Sequence, residues 1–214
     1  MSEVVFCNIT LVNERSFNDM LLALPAFMQK EILAYRYPDD RKARLLARYI
    51  ISDHLKKTQS GALLEHWETT AGHKPYIPGA PCFNISHSGK MVVVAFDSDP
   101  VGIDIEALEY IDISSLIKEL AIEEQEYIRA GGGCYRTFLR IWSRKEAYLK
   151  ATGPGIANGL SHINTLPATI SDGGNAWHLK ELKIDSHYTC HLCTTEHLND
   201  LVISEFTHPV IQTR

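Results

Sequence analysis

The run Val101-Gly102-Ile103-Asp104-Ile105-Glu106 sets two carboxylates two residues apart inside an apolar segment, and little else in the chain is as restrictive. Strand side chains alternate, so Asp104 and Glu106 share one face while Ile103 and Ile105 turn to the other. Neighbouring acids on a strand fit for burial repel each other and lose hydration, so something positive must offset them. A hard divalent cation held by oxygens meets that need, Mg²⁺ first. The competing reading is a strand end whose acids face water, and these six residues alone do not separate the two.

Around this run the chain reads as alternating strands and helices. A strand is expected over 3–12 and helical periodicity over 17–35, with Pro25 marking a turn or kink. Pro38-Asp39-Asp40 signals the start of a helix reaching about Lys57, with Arg41, Lys42, Arg44 and Arg48 in its first half. Residues 69–82 are loop-like, and Phe83–Ser86 and Met91–Phe96 form a hairpin around His87-Ser88-Gly89-Lys90. Helices follow at about 112–130 and 135–151, parted by Gly131-Gly132-Gly133 and closed by Gly153-Pro154-Gly155, and 160–208 holds short strands. The second half echoes the first in element type. The expected architecture is therefore α+β, with an N-terminal half at 1–98, a C-terminal half at 99–214, and a cleft between them.

A chain of 214 residues can bury a sizeable core. Its net charge of -5 disfavours a nonspecific nucleic-acid binder. No stretch reaches membrane-spanning length, so no membrane partner is expected. Five scattered cysteines argue against a disulfide framework and for the cytoplasm.

Two further stretches carry chemistry. On a helix, Trp142, Glu146 and Lys150 fall on one stripe, and the Trp draws that stripe toward the interior or a cleft wall. Gly72-His73-Lys74-Pro75 precedes Phe83-Asn84-Ile85-Ser86-His87-Ser88-Gly89. Taken singly, Lys74 is a loop lysine and His87 a turn histidine.

The ordered set GHKP at 72–75, FNISHSG at 83–89, VGIDIE at 101–106 and WSRKEAYLK at 142–150 resembles the 4′-phosphopantetheinyl transferase superfamily. Within it, the set is more similar to the larger, two-half type. The resemblance spans about residues 72–156. It implies a pseudo-dimer of two similar α+β halves with the active site in the cleft. It also implies transfer of the phosphopantetheine arm of coenzyme A to a serine of an apo carrier protein (acyl, peptidyl or aryl), with adenosine 3′,5′-bisphosphate released. By the same resemblance, Asp104, Glu106 and Glu146 gather at Mg²⁺, or Mn²⁺ in its place. Glu146 is the leading general base and Lys150 contacts the diphosphate. Lys74, Ser86 and His87 hold the adenosine end, with His87 near the 3′-phosphate, and Arg41 and Arg44 add phosphate contacts. One chain supplies both halves of the cleft, so a monomer is expected.

The chemistry agrees with the resemblance. A diphosphate cannot rest on an acid cluster without a cation between them. The nucleophile is the carrier's own hydroxyl, so the protein needs a base and a phosphoryl clamp rather than a Ser-His-Asp triad. One stretch departs from the family: Lys118-Glu119-Leu120-Ala121-Ile122-Glu123-Glu124 lacks the usual aromatic residues, and Glu124 is the positional match for an acid expected there. A second signal competes. His187, Cys190, His191, Cys193 and His197 crowd together with a Cys-x-x-Cys, which could hold zinc, but 187–195 also alternates as a strand with small cysteines packed inside. A metal-dependent nuclease and a noncatalytic coenzyme A or carrier binder are the other classes. The nuclease reading expects the Glu and Lys on a strand rather than a helix, and the noncatalytic one expects a broken acid cluster.

Overall fold

The computed structural model describes residues 2–61, 63–153, 160–195 and 198–207. The first strand, β1, is Glu3–Asn8. It ends where the Asn8 side chain accepts the Thr10 N–H and starts a 3-10 turn, so the strand is shorter than the expected 3–12. The 17–35 periodicity resolves into two helices, α1 at Glu14–Leu22 and α2 at Ala26–Leu33, parted at Pro25. Proline cannot donate to the helix ladder, so the chain turns there. Helix α3 spans Pro38–Lys57 with its proline in the first turn, where a missing N–H costs nothing.

Two short strands, β2 at Glu68–Thr69 and β3 at Pro75–Tyr76, pair within the loop-like stretch. The hairpin is β4 at Cys82–Ser88 and β5 at Met91–Asp97, and it leads into β6 at Val101–Ala107. Helix α4 is Ile122–Ala130, and α5 is Tyr135–Thr152, closed by Gly153 in the left-handed conformation at φ 89°. The expected 112–130 helix is shorter than its pattern. Asp112 Oδ1 accepts both the Ser114 N–H and the Ser114 hydroxyl, a local turn that competes with helix. A 3-10 turn at Leu116–Glu119 and an extended Leu120 then delay α4. The chain finishes with β7 at Thr169–Asp172, β8 at Asn175–Leu182, β9 at Tyr188–Thr194 and β10 at Val202–Glu205.

The architecture is α+β, built on two four-stranded sheets in the orders β10-β1-β5-β4 and β6-β9-β8-β7. The sheets divide between β5 and β6, except that β10 returns to pair with β1 in parallel. Helix α3 lays Leu45, Leu46, Ile50 and Ile51 on one face of the first sheet, against Val92, Val94 and Phe96. The opposite face, with Val4, Val93 and Ala95, meets Ile103, Ile105, Cys190 and Leu192 of the second sheet. Helix α5 covers the second sheet's outer side through Ala147, Leu149 and Ala151, which pack with Leu179 and Cys193. The layers thus run helix, sheet, sheet, helix. This explains why β5 is buried along its whole length on both faces. Each such Val or Phe contributes about 1.5–3 kcal/mol of burial.

Gly102 sets the depth of the outer helix. A Cβ there would lie 2.0 Å from the Ala147 carbonyl oxygen and 2.3 Å from the Ala151 nitrogen, so only glycine lets the backbones of β6 and α5 touch. Among the described residues no helix is long and apolar enough to cross a membrane.

Candidate active site

Strands β4 and β6 are the adjoining edges of the two sheets, and their seam builds the site. Three alternate side chains of β4 stand in for a missing ladder. Asn84 Oδ1 accepts the Ile103 N–H at 2.9 Å, Ser86 Oγ that of Ile105 at 3.3 Å, and Ser88 Oγ that of Ala107 at 3.0 Å. The hydroxyls then reach the acids. Ser86 donates to Asp104 Oδ1 at 3.0 Å, and Ser88 donates to Glu106 Oε2 at 3.0 Å. The motif's Asn-x-Ser-x-Ser spacing is what puts all three on one face of a strand. That pattern was readable in FNISHSG, yet Asn84 and Ser88 were missed because only Ser86 and His87 matched a known role.

Helix α5 closes over this seam. Lys150 Nζ donates to Asp104 Oδ1 at 2.6 Å and to Ser86 Oγ at 3.2 Å. Ser143, fully buried, donates to the Asp104 carbonyl oxygen at 3.0 Å, and His191 Nδ1 lies 3.3 Å from Ser143 Oγ. Ser143 stands inside the WSRKEAYLK motif and His191 inside the zinc-like cluster, but their contact with Asp104 comes from the β6–β9 register, which sets His191 opposite Asp104. Trp142 stacks with Phe138 at 5.7 Å, so the stripe of Trp142, Glu146 and Lys150 does lie half-buried.

The acids feel one another. Burial, then the Asp104 charge and more weakly that of Glu146, push Glu106 up to about 7. Burial also raises Asp104, against the pull of Lys150, and raises Glu146, again against Lys150. Asp104 Oδ2 is buried without a hydrogen-bond partner among the described residues. A buried carboxylate oxygen with no partner there, beside two acids shifted toward neutrality, is a donor set short of positive charge. Among the described residues no three His, Cys, Asp or Glu side chains already stand as a metal cage. The two β6 carboxylates are nonetheless the kind of oxygen donor that Mg²⁺ takes alongside phosphate oxygens and water.

His87 alternates to the other face of β4 from Ser86 and Ser88, within reach of the Arg44 and Lys150 charges. His87 is exposed, and its partial enclosure followed by the Arg44 charge, then that of Lys150, holds its imidazole below the ordinary value. Arg44 stacks over the Tyr35 ring at 3.8 Å and keeps a buried Nε without a partner among the described residues. Arg41 differs: its Nε donates to the Tyr35 carbonyl at 2.6 Å, which turns it to local structure. Lys74 is also occupied. Its Nζ donates to the Val101 carbonyl at 2.9 Å and the Lys150 carbonyl at 2.7 Å, tying the GHKP loop to β6 and α5, and burial lowers its pKa. Gly72 lets that loop close, since a Cβ would lie 2.8 Å from the Gly153 carbonyl oxygen. Gly72, Lys74, Asn84, Glu146 and Lys150 line a cleft of about 260 Å³.

Glu124 does not join them. It is fully buried, with Oε1 accepting the Thr165 N–H and hydroxyl and Oε2 accepting the Ala121 N–H while pairing with Lys145 at 2.9 Å. With every lone pair engaged, it is a brace between α4, α5 and the 160–165 segment and has none left to take a proton. The zinc-like cluster also disperses. Cys190 faces the core between the sheets and Cys193 faces α5, as alternation requires of residues three apart. His187 is exposed beside Asp185, and His197 lies outside the described residues.

Comparison with known proteins follows the same lines. The family model described as the 4′-phosphopantetheinyl transferase superfamily matches residues 100–204. The chain is 34% identical over 148 residues to the 4′-phosphopantetheinyl transferase psf-1 of Bacillus pumilus, covering 66% of this chain and 62% of that protein. It is 29% identical over 160 residues to the 4′-phosphopantetheinyl transferase Sfp of Bacillus subtilis, covering 70% of each. A putative 4′-phosphopantetheinyl transferase of Haemophilus influenzae is 32% identical over 157 residues, which is 67% of this chain and 66% of that protein. The chain thus spans about two thirds of the length of these curated relatives.

Proposed function

Because this chain belongs to the 4′-phosphopantetheinyl transferase superfamily, we propose that it transfers the phosphopantetheine arm of coenzyme A to a serine of an apo carrier protein. The observation that carries the reading is the seam itself. Asp104 and Glu106 from β6 and Glu146 from α5 act on one another electrostatically with too little positive charge among them, beside Lys150.

In the reaction the serine oxygen forms a bond to the β-phosphorus of coenzyme A. The bond from that phosphorus to the bridging oxygen breaks, and adenosine 3′,5′-bisphosphate leaves with the electron pair. Glu146 accepts the serine proton, directly or through a bridging water. A cation held partly by Glu146 would lower its pKa and make it a weaker base, so the proton passes mainly through a bridging water or late, as the new bond to phosphorus forms. Lys150 stands where negative charge grows on the departing bisphosphate. His87 and Arg44 receive the nucleotide phosphates, while Lys74 holds the loop that walls the adenosine end. Mg²⁺, or Mn²⁺ in its place, bound by Asp104 and Glu106 with Glu146, would neutralise the diphosphate so that it can lie against the acids. The helical placement of Glu146 and Lys150 on α5 favours this reading over a nuclease.

We also read the protein as a cytoplasmic monomer. Both walls of the site come from one chain, and all five cysteines are free. The test is mass spectrometry of an apo carrier protein after incubation with this protein, coenzyme A and Mg²⁺. A phosphopantetheine-sized increase is expected, and an unchanged carrier mass with a panel of acyl and peptidyl carriers would reject the assignment.

A further inference from the structure

Glu106 sits where β6 is about to end, half-buried, and among the described residues no Lys, Arg or His forms an ion pair with it. What holds it comes from the other half of the molecule. Ser88 Oγ donates to Glu106 Oε2 at 3.0 Å and at the same time accepts the Ala107 N–H at 3.0 Å. One hydroxyl therefore fixes both the carboxylate and the backbone that follows it. The next residue, Gly89, lies flush against the same spot. A Cβ there would be 3.4 Å from the Ala107 Cβ and 3.1 Å from the Tyr188 hydroxyl, and its φ of +53° suits glycine. The Lys90 N–H then donates to Tyr188 Oη at 3.1 Å. Tyr188 belongs to β9 and is the cross-strand neighbour of Ala107. Three consecutive residues at the β4–β5 hairpin tip thus grip the end of β6 from two sides.

We propose that Ser88 and Tyr188 are positioning residues: they form a clasp between the two halves that holds the Glu106 carboxylate where it can ligate a divalent cation. This inference rests on the metal-site reading of Asp104 and Glu106. Neither residue faces the reacting atoms in it. Ser88 acts through Glu106, and Tyr188 acts through the hairpin tip that carries Ser88. The geometry also explains why a Ser rather than any small residue stands at position 88. Alanine would fill the space but leave Glu106 Oε2 and the Ala107 N–H without their shared partner.

The test measures cation binding rather than turnover. Mn²⁺ affinity is followed by electron paramagnetic resonance in the full chain, with coenzyme A present, for the wild type, Ser88→Ala, Ser88→Thr and Tyr188→Phe. Losing a partner that orients a metal ligand commonly weakens metal affinity by about 10–100-fold, and Ser88→Ala is expected at the lower end. Ser88→Thr keeps the hydroxyl and should recover most of that loss. Tyr188→Phe keeps the ring and removes only the bond to Lys90, so a smaller weakening of about two- to threefold is expected. Coenzyme A affinity measured without metal should be unchanged in all three. Wild-type Mn²⁺ affinity in Ser88→Ala would overturn the proposal. So would Ser88→Thr as weak as Ser88→Ala, or an equal loss of metal-free coenzyme A binding, since either marks general loosening. If the wild type binds Mn²⁺ with coenzyme A, shows these losses and yet modifies no carrier, the clasp stands and the transferase reading fails. If it modifies the carrier and Ser88→Ala binds Mn²⁺ normally, the reverse holds.

Discussion

Two sets of buried acids in the C-terminal half are treated in opposite ways. Glu124 has no exposure at all, and it is fully answered by Lys145, two backbone N–H groups and a threonine hydroxyl. Asp104 is also buried, but one of its oxygens has no partner, and the neighbouring Glu106 and Glu146 are raised toward neutrality. Burial is common to both, so burial alone does not mark a site. What differs is whether the protein completes the charge or leaves it for something else to complete. The complete set holds the fold and the incomplete one is where a ligand belongs.

Substitutions should separate the two sets most sharply on the stability axis. Lys145→Ala strands a buried carboxylate, and urea unfolding is expected to show a loss of about 3–5 kcal/mol. Asp104→Asn removes a charge the fold never fully paired, so its unfolding midpoint should match or exceed that of the wild type while transfer is lost. Comparable destabilisation by the two would erase the distinction.

The next effect is on rate. Glu146→Gln keeps shape and removes the proposed base, so kcat should fall by about two orders of magnitude or more, with coenzyme A binding less affected. Glu124→Gln should instead lower stability and leave kcat per folded molecule nearly intact. Steady-state kinetics paired with a melting curve checks both, and the reverse pattern would return Glu124 to the chemistry.

A pH effect sharpens the comparison from the structural side. Burial, then the charge of Arg144, holds His191 down to about 3. The unfolded chain takes up this proton near 6.5 and the folded chain refuses it. Stability is therefore whole above that pH and falls by about 1.4 kcal/mol per unit as pH drops from 6.5 toward 3. His191→Gln should flatten that slope in acid unfolding curves.

The smallest expected effect is at His87. His87→Ala should weaken coenzyme A by about tenfold, the worth of one charge-assisted hydrogen bond, and dephospho-coenzyme A hardly at all. Equal losses for the two ligands would remove His87 from the 3′-phosphate.

Much of this was legible in the sequence where periodicity carried it. The alternation of 101–106, the helical stripe of Trp142, Glu146 and Lys150, and the proline break in 17–35 all reappear as spacing demands. Legibility failed where the deciding contact was long-range or local to a turn. Glu124 looked like a cleft acid because nothing in its neighbourhood announces that Thr165 and Lys145 will close on it. Lys74 reads from the motif as a contact for the adenosine end and Arg41 as a phosphate contact, and the motif does not announce that Lys74 Nζ and Arg41 Nε also donate to main-chain carbonyls. The 112–121 stretch had helical composition, and the Asp112–Ser114 turn overrode it. Ser88 lies within FNISHSG, but its bond to Glu106 depends on the hairpin tip meeting β6, a contact between segments 18 residues apart.

The central claim is that the seam acids are unfinished until a cation and coenzyme A complete them together. Isothermal titration of Mg²⁺ into the protein, with and without saturating coenzyme A, tests it directly. Shared coordination predicts weak binding alone and an affinity at least about tenfold tighter when phosphate oxygens are supplied. Equal Mg²⁺ affinity in the two titrations would contradict it.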